Sequence, residues 1–210
     1  LTGVASSEGM FIANRQTQTT NTAHWAGAHR LLTNRLAQAA VIQTTARSIL
    51  EEGLAYDRCL VGVVTDMQGW ESLADHDVQD ISHMRRVLRT QIDVVLDEGA
   101  GVLNADDERV AELASLCDGE VLLYSLHANN ATIAAHRNEK NGRAVFLLDG
   151  RVVLAHGSKE RVLGHLSALS LASGTAPDTA SLLAAIATAW ALDIAPDLIA
   201  AGIKTFEYQR

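Results

Sequence analysis

The chain has 210 residues, long enough for one substantial core or two small ones, and a single α/β unit is favoured. Hydrophobic residues make up 48% and charged residues 20%, as in ordinary soluble globular proteins; the formal net charge of −8 argues against a general nucleic-acid binder. No apolar run reaches the length of a membrane span and no signal peptide opens the sequence, so a cytoplasmic protein with no membrane partner is expected. Residues 1–5 read as a strand fragment and 9–15 as a short edge strand with a turn at Asn14. Residues 16–25, rich in Thr and Asn, read as a polar surface loop. A helix is predicted over 26–35 with Leu31, Leu32 and Leu36 on its inner face. A buried strand at 39–43 follows, then a short helix at 48–53 that Gly53 can close in the left-handed conformation. The strand at 60–65 is almost entirely apolar, as expected for a parallel strand covered on both faces.

After a polar loop at 66–77, the spacing of Ile81, Met84, Val87, Leu88, Ile92 and Val95 predicts a long helix over 78–96. Strand 99–104, helix 107–117 and strand 120–125 continue the alternation of β and α. The run AVFLLDGRVVLA at 144–155 has a different period. Two apolar runs meet at Asp149-Gly150, a dipeptide that accepts positive φ in a type I′ turn, so a hairpin is predicted over 143–155. Two helices, 179–192 and 196–205, close the chain. The order is that of a doubly wound, mostly parallel α/β sheet carrying a small antiparallel hairpin.

In an open α/β sheet, ligands bind outside the carboxyl ends of the strands. Gln43-Thr44-Thr45 and Thr65-Asp66 mark two such ends. Asn104, Asp106 and Asp107 mark a third, where short polar acceptors can bond a purine amine and ribose hydroxyls; the plainer use is Asp106 capping the helix from Asp107. Cys59 and Cys117 lie far apart inside apolar runs and read as buried thiols rather than a disulfide or metal pair. None of the eight histidines falls in an H-x-x-x-H or H-E-x-x-H pattern, so scattered surface positions are expected. His76 between Asp75 and Asp77 is a compact polar group that could supply a metal ligand, although loops are polar by default. Trp25 and Trp70 fall in loops where an aromatic ring can stack on a base, whereas core packing is the default for Trp190. The carboxylate pairs Glu51-Glu52 and Asp106-Asp107 are helix neighbours that point apart, which disfavours acid–base pairing.

The run ILEEGLAYDRCLVGVVT at 49–65 closely resembles the ATP-dependent Mur ligase-like half of cyanophycin synthetases. GMFI, VVLDEGAGVLNADDERV, GRAVFLLDGRVVL and the closing AAIATAWAL and IAAGIKTF resemble further pieces of that family in the same order. The resemblance implies a Mur ligase central-domain fold that activates a carboxylate with ATP as an acyl phosphate and joins it to an amine. In cyanophycin synthetase the acceptor chain is polyaspartate and the amine comes from arginine. That chemistry needs a glycine-rich loop for the phosphates, ligands for Mg²⁺ and a cation for the transferring phosphoryl group.

The 210 residues contain no G-x-x-x-x-G-K-(S/T) loop. In the family the loop lies just before the position matching Leu1, and a further C-terminal domain follows the T-F motif. The expectation is therefore one central domain spanning 1–210, lacking the P-loop segment and the C-terminal ligase domain of a longer parent. Under the resemblance, Gln43 and Asp66 approach the metal, Arg85 or Arg86 steadies phosphate, and Asn104, Asp106 and Asp107 hold the nucleoside. Thr22, His24 and Trp25 fall in a substrate loop. Several positions depart from the family pattern: Gln43 replaces a glutamate, and an amide lacks the anionic oxygen a hard cation prefers. Ala46-Arg47-Ser48 replaces an arginine and two glycines, Trp70 stands near the family's histidine, Met84-Arg85-Arg86 lacks the lysine, and Ser181 stands in place of an asparagine. Two functions follow. One is an ATP- and Mg²⁺-dependent peptide-bond-forming ligase domain with an acceptor peptide or amino acid as partner. The other is a degenerate domain with no cofactor, serving scaffolding, homo-oligomerisation or acceptor-chain binding beside other domains of the parent.

Overall fold

The computed structural model describes residues 1–168 and 178–205; Phe206 of the closing T-F motif lies outside them. The chain divides into two compact units, one formed by Leu1–Asp57 with Gly69–Leu88 and the other by Arg58–Gln68 with Arg89–Arg210.

In the first unit, strands β1 (Thr2–Ser6), β2 (Gly9–Ile12), β3 (Arg15–Gln18) and β4 (Ala39–Ile42) form a sheet in the order β3-β2-β1-β4. β1 pairs antiparallel with β2 and parallel with β4, and β2 pairs antiparallel with β3. The expected edge strand at 9–15 is therefore interior, and part of the expected loop is the edge strand β3. The polar RQTQ of β3 pairs through its backbone and shows no apolar alternation, so periodicity could not reveal it. Helix α1 (Trp25–Leu32) ends at Thr33, whose N–H donates to the carbonyls of His29 and Leu31. Of the three leucines only Leu31 faces inward, into a small core with Ala5, Met10 and Ile12; Leu32, on another side of α1, and Leu36, beyond its end, are exposed, against expectation. β4 is likewise an exposed edge rather than a buried strand. Helix α2 (Ala46–Glu52) starts two residues earlier than expected because the Thr45 hydroxyl caps it by accepting from Ser48 N–H, and Gly53 stops it at φ 75°. The segment Trp70–His76, read as loop, winds into 3₁₀ turns.

Helix α3 (Ile81–Asp93) continues the chain into the second unit. It is shorter than the predicted 78–96. Asp80 fixes its start by accepting from the Ser82 hydroxyl at 2.6 Å and from the N–H groups of Ser82 and His83; the Ser82 hydroxyl first, and then the His83 N–H, hold the Asp80 carboxyl down at about 2. Val95 and Leu96 already belong to β6.

The second unit is built on β5 (Cys59–Val64), β6 (Val95–Asn104), β7 (Glu120–Ser125), β8 (Arg143–Leu148), β9 (Arg151–His156) and β10 (Lys159–His165). Their order is β10-β9-β8-β7-β6-β5; β5 to β8 pair in parallel, and β8, β9 and β10 form an antiparallel meander. The predicted hairpin is present. Asp149 and Gly150 adopt φ of 49° and 72°, the double positive φ of a type I′ turn. β5 is an edge strand with Leu60 exposed, not a strand covered on both faces. β10 and helix α5 (Ala131–Lys140) were not anticipated. α5 buries Ile133 alone, and its start is set by the Asn130 side chain accepting from Thr132 and Ile133 N–H groups rather than by an apolar stripe.

Helix α4 (Glu108–Ala111) connects β6 to β7, and helices α6 (Thr179–Ala191) and α7 (Pro196–Thr205) close the chain. Leu182, Leu183, Ile186 and Ala187 of α6 pack on Val102, Leu122, Tyr124, Val145 and Leu154 of the sheet. The alanine-rich helix approaches closely, and each fully buried Leu or Ile contributes about 2 kcal/mol by leaving water. The alternate residues Leu103, Leu123, Phe146 and Val153 are buried on the other face, where Ile92 approaches Gly101 and Arg137 of α5 lies over the Phe146 ring. Helices thus cover both faces, and the sheet is of the mixed α/β type predicted.

Cys59 and Cys117 are free and half-buried. Burial, with a smaller effect from Cys117, pushes the Cys59 thiol up to about 11. At pH 8 its thiolate fraction is then roughly 100-fold below that of an ordinary thiol. Alkylation of native Cys59 is expected to be slower by that order than in urea, as mass spectrometry of quenched samples can measure; equal rates would contradict the burial.

Candidate functional site

The carboxyl ends of β5, β6 and β7 lie side by side in the second unit. Asn104 at the end of β6 donates its Nδ2 to the Thr65 carbonyl at 2.9 Å, and its Oδ1 accepts from Asp106 N–H at 3.0 Å. Asp106 turns toward β7. Its Oδ1 accepts from the buried Ser125 hydroxyl at 2.5 Å and from Asn130 Nδ2 at 3.0 Å, and its Oδ2 accepts from Leu126 N–H at 2.7 Å. Asn130 also donates to the Ala105 carbonyl at 2.9 Å while its Oδ1 caps α5. One carboxylate thus ties the ends of β6 and β7 to the start of α5. Asp106 is not the cap of α4; that is Asp107, which accepts from Arg109 N–H at 3.0 Å. Two residues on, an Asx-type bond serves Asp107 without strain, whereas Asp106 faces the neighbouring strand.

Asp66 closes on its own turn, accepting from the Thr65 hydroxyl at 2.9 Å and from Gln68 N–H at 3.0 Å. The buried Tyr124 phenol is held well above its ordinary range, first by burial and then by the negative charges of Asp66, Asp106 and Asp178. Tyr124, Ser125 and Asn130 were not singled out as site residues. The only signal available was that the β7 strand ends on a serine.

In the first unit the Gln43 side-chain oxygen accepts from Ser7 N–H at 2.8 Å. Thr22 is fully buried; its hydroxyl accepts from Ser6 N–H at 3.0 Å and lies 2.9 Å from the Gly9 carbonyl to which it donates. Gly27 packs against it, since a Cβ there would lie 2.1 Å from the Thr22 carbonyl oxygen. His24 caps α1 by accepting from Gly27 N–H, and the Trp25 ring stacks on His29 at 4.8 Å. His24, Trp25, Gln43 and Thr44 surround a void of only about 10 Å³ together with residues of α2 and the following loop. Such a void has room for a water at most. Arg47 fills the centre of the polar group expected around His76: it donates to Asp75 at 2.9 Å, to the Ser72 carbonyl at 2.7 Å and to Glu51 at 3.3 Å, with His76 Nε2 3.1 Å from Glu51. A guanidinium holds the place considered for a metal. Trp70 opens the 3₁₀ segment and is half-buried. Arg85 is half-buried and Arg86 exposed on α3, and neighbours there leave the helix about 100° apart.

Within the second unit, Asp66 and Asp106 do not by themselves make an inner-sphere Mg²⁺ site. The oxygens of Gln43, Asp66 and Asp106 accept hydrogen bonds from the fold, and among the described residues no three metal-ligating side chains converge. No described helix is long and apolar enough to cross a membrane.

Curated relatives carry the decisive likeness. The chain is 29% identical over 98% of its length to a cyanophycin synthetase of Crocosphaera subtropica and 32% identical over 84% to one of Synechocystis. The chain is a Mur ligase-like relative of the cyanophycin synthetases. It spans about a quarter of the first relative's length (24%) and a fifth of the second's (20%). A Nostoc cyanophycin synthetase is 25% identical over 97% of the chain. Among solved structures, a UDP-N-acetylmuramoylalanyl-D-glutamyl-2,6-diaminopimelate–D-alanyl-D-alanyl ligase from Acinetobacter baumannii superposes with a TM-score of 0.51 at 12% identity, over 83% of this chain and 35% of that one. A second structure of the Acinetobacter protein, MurF, agrees equally well. At that identity the likeness is one of fold. No protein-family model matches the sequence.

Proposed function

We propose that the chain is the Mur ligase-like domain of an ATP-dependent acid–amino acid ligase of the cyanophycin synthetase kind, and that its own residues supply framework rather than the groups that hold metal and phosphate. The kinship along nearly the whole chain supports the ligase kind. The observation that carries the framework role is Asp106, whose two oxygens serve three donors from β7 and α5. A carboxylate so engaged sets the positions of strand ends; it is not held ready for a ribose. In a ligase of this kind ATP would supply the energy to activate a carboxylate as an acyl phosphate, which an amino group of the acceptor then attacks. No step of that sequence is assigned to the described residues.

The second reading has Asn104 and Asp106 binding the nucleoside directly. It is favoured by their location outside the carboxyl ends of adjacent parallel strands, where ligands of open α/β sheets bind. Kinetics of the longer protein carrying this chain separate the two. With Asp106→Asn the framework reading expects a less stable protein whose KM for ATP stays within about twofold, the change left when no interaction with substrate is removed. A tenfold rise in that KM, measured well below the melting temperature, would assign Asp106 to the nucleotide.

A further inference from the structure

In the second unit, helix α7 packs Ile199, Ala200 and Ile203 onto the core that α6 forms with the sheet. Its other side carries Leu198, Ala201, Gly202 and Thr205, spaced as i, i+3, i+4 and i+7, and all four are exposed. Leu198, at 66%, is the most exposed large apolar side chain among the described residues. Leu192 and Ile194 are exposed just before α7, so three of the eleven such side chains fall within seven residues. An apolar concentration of that kind marks a contact surface rather than scattered surface leucines. Two details fit the face to a second helix. Gly202 stands inside α7, where glycine weakens a helix relative to alanine. A Cβ there would meet no atom within 4 Å, so the fold itself does not require glycine, whereas the close approach of another backbone would. The Thr205 hydroxyl donates to the Ala201 carbonyl at 3.0 Å, so covering the face strands no donor there.

The charges beside this face identify the partner. Asp197 and Lys204 stand two turns apart on the same flank of it. Asp197 accepts from Arg161 through Oδ1 at 2.6 Å and is otherwise in solvent, its side chain 87% exposed. Lys204 is exposed and has no ion-pair partner among the described residues. A two-fold axis beside Ala201 lays a second α7 antiparallel on the first and keeps the charged flanks on one side. Asp197 of each copy then meets Lys204 of the other, in two equal pairs. A parallel arrangement would set like charges level with one another. We infer that two copies of this chain associate through α7 in this antiparallel way. Ala201 and Gly202 lie at the crossing, and Leu198 seats between Gly202 and Thr205 of the other copy. A single crossing of ten-residue helices belongs among the small interfaces, below about 1,200 Å², so the dimer is weak and reversible. The contact is independent of whether the domain binds nucleotide.

Sedimentation equilibrium of the full 210-residue chain tests this, from about 5 to about 500 μM at about 150 mM salt. The expected result is a weight-average mass that climbs with concentration toward twice the monomer's. Leu198→Glu and Gly202→Leu are each expected to hold the chain monomeric across that range. Gly202→Leu places a better helix former in open space, so its melting temperature is expected not to fall, which separates lost contact from lost fold. Lys204→Glu is expected to weaken the dimer about tenfold, roughly threefold for each of two exposed ion pairs. A wild-type chain that stays monomeric throughout would overturn the proposal and leave the face to a different partner. A dimer that survives Leu198→Glu and Gly202→Leu would overturn it by placing the contact elsewhere on the chain. A dimer unmoved by Lys204→Glu would overturn the antiparallel arrangement.

Discussion

Asp106→Ala is expected to lower the unfolding free energy by about 2 kcal/mol, seen as a lower urea midpoint at unchanged slope. The alanine removes the acceptor shared by the Ser125 hydroxyl, Leu126 N–H and Asn130 Nδ2. Asp106 itself is exposed, so water replaces part of what is lost for Leu126. Ser125 is fully buried, and there the loss is felt most; its hydroxyl can turn only to the His127 carbonyl 3.0 Å away. Asn130 keeps its bond to Ala105 and its capping role, so α5 is loosened at its first turn rather than released. Hydrogen exchange should therefore rise at Leu126, His127 and the first turn of α5. A midpoint change below about 0.5 kcal/mol, the range of ordinary surface substitutions, would mean that these bonds are incidental.

Thr22→Val should cost more, about 3 kcal/mol, because it strands a polar group where water cannot follow. Valine matches the shape of threonine but offers nothing to the Ser6 N–H that now bonds the Thr22 hydroxyl at 3.0 Å, and leaves the Gly9 carbonyl with the longer bond from the Ser6 hydroxyl at 3.3 Å. The two groups stand on β1 and β2, so the hydroxyl pins the hairpin to the segment leading into α1. Gly27 adds a second constraint, leaving no space for the Thr22 backbone to withdraw. Thr22→Ser keeps the hydroxyl and should recover most of the loss, the remainder being one methyl group. Unchanged thermal stability in Thr22→Val would contradict this framework role and leave the substrate-loop reading of Thr22 standing.

The elements legible in the sequence were those that bury an unbroken apolar run or end on a turn with one chemical solution. β7 was read to the residue, and the Asp149-Gly150 turn followed from the positive φ both positions adopt. β3 and α5 were not legible, because one is a polar strand held by backbone pairing and the other a polar helix anchored by Asn130 and a single buried Ile133. Leu36, Val41 and Leu60 misled in the other direction. Their apolar side chains suggest burial, but they stand past a helix end or on sheet edges, a matter of topology that local pattern does not carry. The location of the strand-end residues was legible, since Asn104 and Asp106 do stand at the carboxyl end of β6. Their bonding was not. Which way Asp106 turns depends on Ser125 and Asn130, 19 and 24 residues away. The same holds for Arg47, whose partner Asp75 lies 28 residues on and whose charge fills the polar group around His76.

The framework role of this domain is tested most directly by calorimetric titration of MgATP into the 210-residue chain, with and without chelator and with Asp106→Ala in parallel. Because the strand-end oxygens are engaged within the fold, no saturable binding is predicted for either protein. Saturable, Mg²⁺-dependent binding in the micromolar range that disappears in folded Asp106→Ala would contradict it and place the nucleotide on the ends of β6 and β7.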